Sequence, residues 1–133
     1  MSVFSHVTVG SNDMPRSRGF YDQVLGTLGL KRLADYGDEA IGYGREGIDT
    51  ERYPFWVLKP YDRGRATSGN GWHCAFLAPD RAAVDAFHAL ALKLGGSDEG
   101  QPGLRPDYHA NYYAAYVRDP DGNKLQAVCH DPV

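Results

Sequence analysis

The hydrophobic and polar positions of this chain follow two different periods, which separate predicted strands from predicted helices. Apolar residues three or four positions apart predict two helices: one follows Asp13 and ends near 26–29, and the other follows Asp80 and ends near 95–96. Alternation, or short apolar and aromatic runs between turn residues, predicts strands at 3–9, 30–36, 39–43, 53–58, 72–77, 112–117 and 124–129. The glycine- and arginine-rich segment 61–71 is expected to be a polar connection.

The second half of the chain resembles the first, displaced by the 67 residues that separate His6 from His73. The same displacement aligns a helix cap, a buried aromatic residue and a helix-ending glycine, in the pairs Asp13 and Asp80, Phe20 and Phe87, and Gly29 and Gly96. Any two strand–helix units look similar, but such a unit does not require a strand histidine, so an internal repeat is favoured. We therefore predict one α+β domain of two βαβββ modules, at about 1–60 and 70–133, each with a helix on one face of its sheet.

Strand alternation places both histidines on the faces that the helices leave open. The valines of the first strand fit the helix-covered side, so His6 faces the open side. Cys74 likewise fits the helix-covered side in the second module, so its neighbour His73 faces the open side. Gln126 has the matching parity in the last strand. We expect His6, His73 and Gln126 to line a cleft between the two open faces. The same parity predicts that Cys74 and Cys129 are buried, unreactive thiols.

Composition restricts the class of partner. The 133 residues carry a formal net charge of −3 and a pI near 5.9, so no basic surface for nucleic acid is expected. The chain shows neither a basic region followed by an apolar run nor an apolar run that could cross a membrane, so we expect no secretory signal and no membrane partner. Two cysteines make neither a disulfide framework nor a CxxC metal site, which is typical of a cytoplasmic protein.

The segment 119–123, Asp-Pro-Asp-Gly-Asn, favours a tight turn and joins the last two predicted strands into a hairpin. Together with the paired modules, the strand histidines, and Phe20-Tyr21 followed by Leu25-Gly26 in the first helix, it resembles the vicinal oxygen chelate superfamily. That superfamily contains glyoxalases, bleomycin-resistance proteins and extradiol dioxygenases. The resemblance covers essentially the whole chain, and it implies a homodimer, often with the cleft completed across the interface.

The resemblance also implies a divalent metal, held by residues of the first and last strands of the modules. His6, His73 and Gln126 match the ligand positions, with zinc, nickel, manganese or iron as the ion and Gln126 also at the catalytic position. The family usually has a glutamate in that last position, whereas the amide of Gln126 can coordinate a metal but cannot act as a base. Trp56 or a neighbour stands where glyoxalases place another glutamate, so a full four-ligand glyoxalase site is absent.

Further candidates for the substrate pocket lie in the predicted loop 104–113, which is rich in aromatic and donor residues. As a lid over the cleft, this loop places Arg105, His109 and Tyr113 beside a substrate, with Arg105 or His109 reaching an anion. The alternative is a loop packed by its own tyrosines. Trp56, on a cleft-facing strand, is expected to stack on a planar ligand.

Three functions fit these residues. The first is divalent-metal-assisted lyase or isomerase chemistry on a small oxygen-chelating substrate, because two imidazoles and a third ligand leave open positions on a metal. The second is a non-catalytic protein that sequesters a small molecule, in which the histidines line a pocket without metal. The absence of glutamate at the positions of Gln126 and Trp56 favours this second function. The third, an extradiol-type iron dioxygenase, is favoured least, because its two-histidine motif requires a carboxylate.

Overall fold

The computed structural model describes residues 2–133 as two four-stranded sheets, each with one helix. The first module consists of β1 (Val7–Gly10), α1 (Met14–Val24), a 3-10 turn (Leu25–Leu28), β2 (Lys31–Asp35), β3 (Ala40–Gly44) and β4 (Phe55–Leu58). The second consists of β5 (Cys74–Leu77), α2 (Arg81–Lys93), β6 (Ser97–Leu104), β7 (Tyr113–Arg118) and β8 (Lys124–Cys129). Within the described residues, no helix has the length and apolar character needed to span a membrane.

Both sheets have the same strand order, so the sequence repeat extends to topology. The orders are β1-β4-β3-β2 and β5-β8-β7-β6, and in each sheet the first strand of the module pairs in parallel with the last. Asp13 and Asp80 cap the two helices, each accepting a hydrogen bond from a backbone N–H three residues later. The prediction of two βαβββ modules is therefore confirmed.

The helix-ending glycines depart from the strict repeat by one residue. Gly29 has a φ of 84°, whereas in the second module the positive φ, 99°, belongs to Gly95 and not to Gly96. Gly96 is required for a different reason, because an added Cβ would lie 2.6 Å from the carbonyl oxygen of Arg118.

Strand β6 is the largest departure from the predicted elements. Ser97–Leu104 contains charged residues, glycines and Pro102, and this composition does not predict a strand. It lies at the edge of the second sheet and pairs with β7 through two register shifts. An edge strand tolerates proline because one side of its backbone needs no partner. The last predicted strand, 124–129, has the predicted bounds, and the others are present with shifted ends; the first begins at Val7 instead of residue 3.

One hydrophobic core joins the modules. Phe20 and Tyr21 of α1 and Phe87 of α2 are fully buried in it. Phe55 of β4 packs edge-on against Phe76 of β5, with ring centroids 5.0 Å apart. The helix-facing sides of both sheets are thus covered from within the chain, which leaves their opposite faces for other contacts.

The Asp-Pro-Asp-Gly-Asn turn connects β7 to β8 and also fixes the second module to the first. Asp119 is 4% exposed, and its carboxylate accepts hydrogen bonds from the Tyr21 hydroxyl at 2.5 Å and from two backbone N–H groups of the turn. The Asn123 amide donates to the end of β1, and Asp121 accepts from Arg16 of α1 at 2.8 Å. The predicted turn is therefore also a contact between modules.

Candidate functional site

The candidate site starts from a hydrogen-bonded pair on the face of the second sheet that α2 leaves uncovered, here called the second open face. Gln126 lies between Leu125 and Ala127, which belong to the core, so its side chain points away from α2. Its Oε1 is 3.1 Å from Nε2 of His73, just before β5, and its amide nitrogen donates to the Tyr112 hydroxyl at 2.5 Å. Gln126 is only 1% exposed, and these two bonds satisfy its buried amide.

These contacts decide which nitrogen of His73 carries the proton. Because the amide nitrogen of Gln126 donates to Tyr112, its oxygen faces His73 and accepts a hydrogen bond. Nε2 of His73 is therefore protonated, and Nδ1 holds the free lone pair. A metal bound at Nε2 requires this proton to move to Nδ1, which is the usual tautomer of a metal-bound histidine.

Tyr116 of β7 lies opposite Gln126 in the sheet and has two cations beside its ring. The His73 ring meets it edge-on at 5.8 Å, while Cζ of Arg105 lies 5.7 Å and Nζ of Lys124 lies 5.4 Å from its centroid. Burial raises the pKa of Tyr116 to about 12, and an adjacent phenol adds to the rise, so its hydroxyl stays neutral. Positive charge is thus held on an aromatic ring next to the His73–Gln126 pair.

The loop 105–112 packs through its own aromatic side chains, as the second interpretation of this loop predicts. The rings of Tyr108 and Tyr112 are 4.8 Å apart. Nδ1 of His109 accepts from a backbone N–H, so in the neutral ring Nε2 carries the proton and donates to Nδ1 of His130 at 2.8 Å. The loop is thereby tied to the residue that follows β8.

Trp56 lies on the corresponding face of the first sheet, here called the first open face. Its neighbours in β4 are buried in the core, while its indole lies against Gly42, where an added Cβ would come within 2.9 Å of the ring. Tyr36 stacks nearly parallel to it at 6.2 Å, and the indole N–H donates to the carbonyl of Tyr53. The first open face thus has a flat aromatic surface formed by Trp56 and Tyr36.

His6 belongs to the first sheet, and none of the hydrogen bonds within residues 2–133 joins it to the His73–Gln126 pair. It is exposed, it precedes β1, and its Nδ1 lies 2.9 Å from the Ser5 hydroxyl. It lines a cavity of about 560 Å³ whose walls come from both β1 and β5. Phe4 and Leu77, which also line this cavity, are 75% and 74% exposed.

Comparison with known proteins identifies the family. The model of the Glyoxalase/Bleomycin resistance protein/Dioxygenase superfamily matches residues 3–127. The chain belongs to this superfamily. It is 29% identical to the "Probable lactoylglutathione lyase" of Synechocystis sp. over 92% of each chain, and 30% identical to the lactoylglutathione lyase of Neisseria meningitidis serogroup A over 92% of this chain and 87% of that protein.

A solved structure supports the same conclusion. The crystal structure of a glyoxalase/bleomycin resistance protein from Albidiferax ferrireducens T118 is 39% identical. The match covers 98% of this chain and 100% of that one, with a TM-score of 0.83. Members of the superfamily typically use a divalent metal, so the donor atoms of this chain are compared with the needs of such an ion.

Two of the donors predicted from the sequence, His73 and Gln126, are neighbours in the structure. Neighbouring ligands on an octahedral ion, with bonds near 2.1 Å, are about 3 Å apart, and the His73 and Gln126 donor atoms are 3.1 Å apart. Across residues 2–133, however, no group of three or more histidines, cysteines and acids is arranged to hold a metal. Within one chain, His73 and Gln126 are therefore neighbours, while His6 belongs to the other sheet.

Two expectations about individual residues need correction. Tyr113 begins β7 and lies on the helix-covered face, where its hydroxyl donates to Asp85 of α2 at 2.7 Å and its ring lies beneath Arg81, so it does not line the open face. Cys129 is buried as expected, but Cys74 is only half-buried and lines the cavity. Burial still raises the pKa of the Cys74 thiol to about 11, which keeps it unreactive.

Sequence reasoning missed Lys124, Tyr112 and Tyr116 as members of the site. Lys124 has the strand parity of Gln126 in β8, so alternation from Gln126 would have found it, whereas Tyr116 lies on β7 and shares that face only through its register with β8. Tyr112 is the first residue of the predicted strand 112–117, and in the structure it directly precedes β7.

Proposed function

We propose that this superfamily member is a divalent-metal-assisted lyase or isomerase acting on a small substrate with adjacent oxygen atoms. The observation that carries the proposal is the His73–Gln126 pair, whose donor atoms are spaced at 3.1 Å like neighbouring ligands of one ion. Similarity to two proteins named as lactoylglutathione lyases supports the reaction class.

In this proposal the ion is held by His73 and Gln126 of one chain and by His6 of a second copy. When bound, it supplies a Lewis acid that polarises the substrate oxygens. His73 offers its Nε2 lone pair after the proton has moved to Nδ1. Gln126 offers its amide oxygen, and Tyr112 keeps that oxygen directed towards His73 by accepting from the amide nitrogen. Gln126 cannot take a proton, so it orients and does not act as the base.

The proposed site requires a homodimer. Both β1 and β5 are edge strands with one unpaired side, and the exposed apolar side chains of Phe4 and Leu77 line the cavity between them. Unpaired strand edges and clustered apolar side chains favour burial against another surface. A second copy covering this cavity would also cover His6, which lines it.

Mixing two variants tests the ligand set and the shared site together. His6→Ala and His73→Ala dimers each lose one ligand from every site and should bind zinc weakly. In a mixed dimer with shared sites, one site keeps His73 from the His6→Ala chain and His6 from the His73→Ala chain. Zinc binding measured by calorimetry should therefore return in co-refolded mixtures. A site contained within one chain predicts no recovery.

The matched control is His130→Ala, which removes a histidine outside the ligand set and should leave zinc affinity unchanged. Light scattering at micromolar concentration should give the mass of a dimer. Native zinc affinity in the single His6→Ala and His73→Ala variants would exclude the proposed centre.

A second candidate function is a non-catalytic protein that sequesters a planar small molecule. The aromatic surface of Trp56 and Tyr36, together with the absence of an acid at that position, favours it. Trp56→Ala in a Trp72→Phe background should then abolish fluorescence quenching by a planar ligand such as salicylate, with no dependence on added metal. A dioxygenase gains no support, because Gln126 supplies no carboxylate.

A further inference from the structure

The second open face carries more positive charge than the proposed reaction uses. Arg118 and Lys124 share this face of the sheet, and Arg105 lies over it. Arg118 is neutralised by Glu99, with donor and acceptor 2.6 Å apart. Arg105 donates to two backbone carbonyls of β6, which hold its guanidinium in place without neutralising it. Lys124 makes no salt bridge to any carboxylate within residues 2–133.

The uncompensated charge lies close to the atoms that would hold the substrate. Lys124 precedes Gln126 by two residues on the same face of β8, a distance of about 7 Å along a strand. Its ammonium group lies over Tyr116, the residue opposite Gln126. Because Tyr116 remains a neutral phenol, it orients the ammonium group through its ring without cancelling the charge.

A lysine held in this way is suited to bind an anion. A bound carboxylate would form a charge-assisted hydrogen bond with the ammonium group, in a region where Arg105 adds a second positive charge. An uncharged substrate would leave both charges without a partner.

We propose that the second open face selects an organic anion, in which a carboxylate adjoins the chelating oxygens, and that Lys124 is the residue that selects it. This inference rests on the proposed function for the position of the chelating oxygens. Arg105 acts as a positioning residue that reinforces the local charge.

Salicylate and salicylamide are suitable probes because both are planar, carry adjacent oxygens and have nearly equal size, and only salicylate is charged. Calorimetric titration of metal-free protein compares their affinities without a contribution from the ion. Native protein should prefer salicylate, and added salt should reduce that preference. Lys124→Met should weaken salicylate binding by about ten-fold or more, the size of one hydrogen bond to a charged group, and leave salicylamide binding unchanged.

The matched control is Lys93→Met, which removes an exposed lysine at the end of α2 and should bind both probes as the native chain does. Three results would overturn the inference. They are equal native affinities for the two probes, no salicylate binding at millimolar concentration, or identical effects of Lys124→Met and Lys93→Met.

Zinc titration of the same proteins separates this inference from the proposed metal centre. A native chain that binds zinc but does not distinguish the two probes overturns the inference and leaves the proposed function intact. A native chain that prefers salicylate through Lys124 but binds no zinc supports the inference and overturns the metal centre. If Lys124→Met binds zinc as tightly as the native chain but no longer prefers salicylate, the result supports both the inference and the proposed metal centre.

Discussion

At the scale of single residues, Gln126 is the most informative position. It is a buried amide with both ends bonded inside the chain, to His73 and to Tyr112. The same contacts that satisfy its buried amide also hold its oxygen next to an imidazole nitrogen. In the proposed metal centre, the neutral amide of Gln126 would be a weaker ligand than a carboxylate, because it offers no negative charge to the ion.

Replacing Gln126 with Glu should raise affinity for divalent metal. The change adds a negative charge at nearly constant volume, and a bound cation compensates a buried carboxylate that would otherwise destabilise the fold. Gln126→Glu should therefore be less stable than the native chain without metal. At zinc concentrations about 100 times its dissociation constant it should gain about 2.7 kcal/mol of unfolding free energy. Calorimetric titration and thermal unfolding measure the two effects.

The double variant with His73→Ala is the control for this prediction. It should lose the gain in affinity, because the carboxylate then lacks its neighbouring ligand. Equal zinc affinity in the native and Gln126→Glu proteins would show that Gln126 is not a metal ligand.

At the scale of elements, β3 and β4 form the aromatic surface together. Trp56 can lie flat on the sheet only because the facing residue of β3 is Gly42, where a Cβ would be 2.9 Å from the indole. Gly42 does not have a positive φ, so glycine is required at this position because of the space it leaves for the indole and not because of the backbone conformation.

Gly42→Ala should therefore displace the indole. Overpacking of this kind costs about 1–3 kcal/mol, and a displaced Trp56 should shift its emission towards longer wavelength in a Trp72→Phe background. Gly19→Ala, in the interior of α1 with no atom within 4 Å of the added Cβ, should leave emission unchanged. That control should also stabilise the chain, by about 0.5–1 kcal/mol. Native emission in Gly42→Ala would mean that the indole does not rest on this glycine.

At the scale of the whole molecule, the relation between the modules depends on a buried polar contact as well as on the core. Asp119 lies in a turn of the second module and accepts from Tyr21 in the first helix at 2.5 Å. Burial raises the pKa of the Tyr21 phenol, and the Asp119 carboxylate raises it further, so the phenol remains a hydrogen-bond donor. The contact holds the modules in one orientation.

Removing the donor should destabilise the whole chain. Tyr21→Phe leaves a buried carboxylate oxygen with one partner fewer, which costs about 1–3 kcal/mol. Tyr113→Phe removes the same kind of bond to the exposed Asp85 and should cost clearly less. Urea unfolding measures the loss of unfolding free energy in each variant. Equal losses would show that the buried contact between the modules stabilises the chain no more than the exposed bond to Asp85 does.

Asp119 should also give stability a particular pH dependence. Burial raises its pKa above the ordinary value, although Tyr21 and Asn123 donate to it and oppose the rise. The native state therefore keeps a proton that the unfolded chain has already lost. The contribution of this carboxyl is complete below its unfolded pKa and is lost as pH rises through the raised native value.

The measurement is the difference in unfolding free energy between the native chain and Asp119→Asn, which cannot titrate. This difference should fall as pH increases through the window above the ordinary aspartate pKa. A difference that is constant with pH, or that grows with it, would contradict the raised pKa.

Much of the architecture follows from the sequence because it depends on local periodicity and on a repeat. The displacement between His6 and His73 recurs between the starts of β1 and β5 and between the starts of the two helices. Alternation in β4 and β8 also gives the directions of Trp56 and Gln126, since neighbouring residues on a strand must face opposite sides.

The remaining features depend on strand pairing between segments that are distant in sequence, so only the tertiary structure decided them. β6 has no alternating pattern and is a strand because β7 offers it a partner. Tyr113 faces α2 because it pairs with Cys129 of β8, which belongs to the core. The contacts of Gln126 with His73 and Tyr112, and the position of Lys124 over Tyr116, depend on the register of β5, β7 and β8. No local pattern encodes that register, because it is set by which side chains the common core can bury.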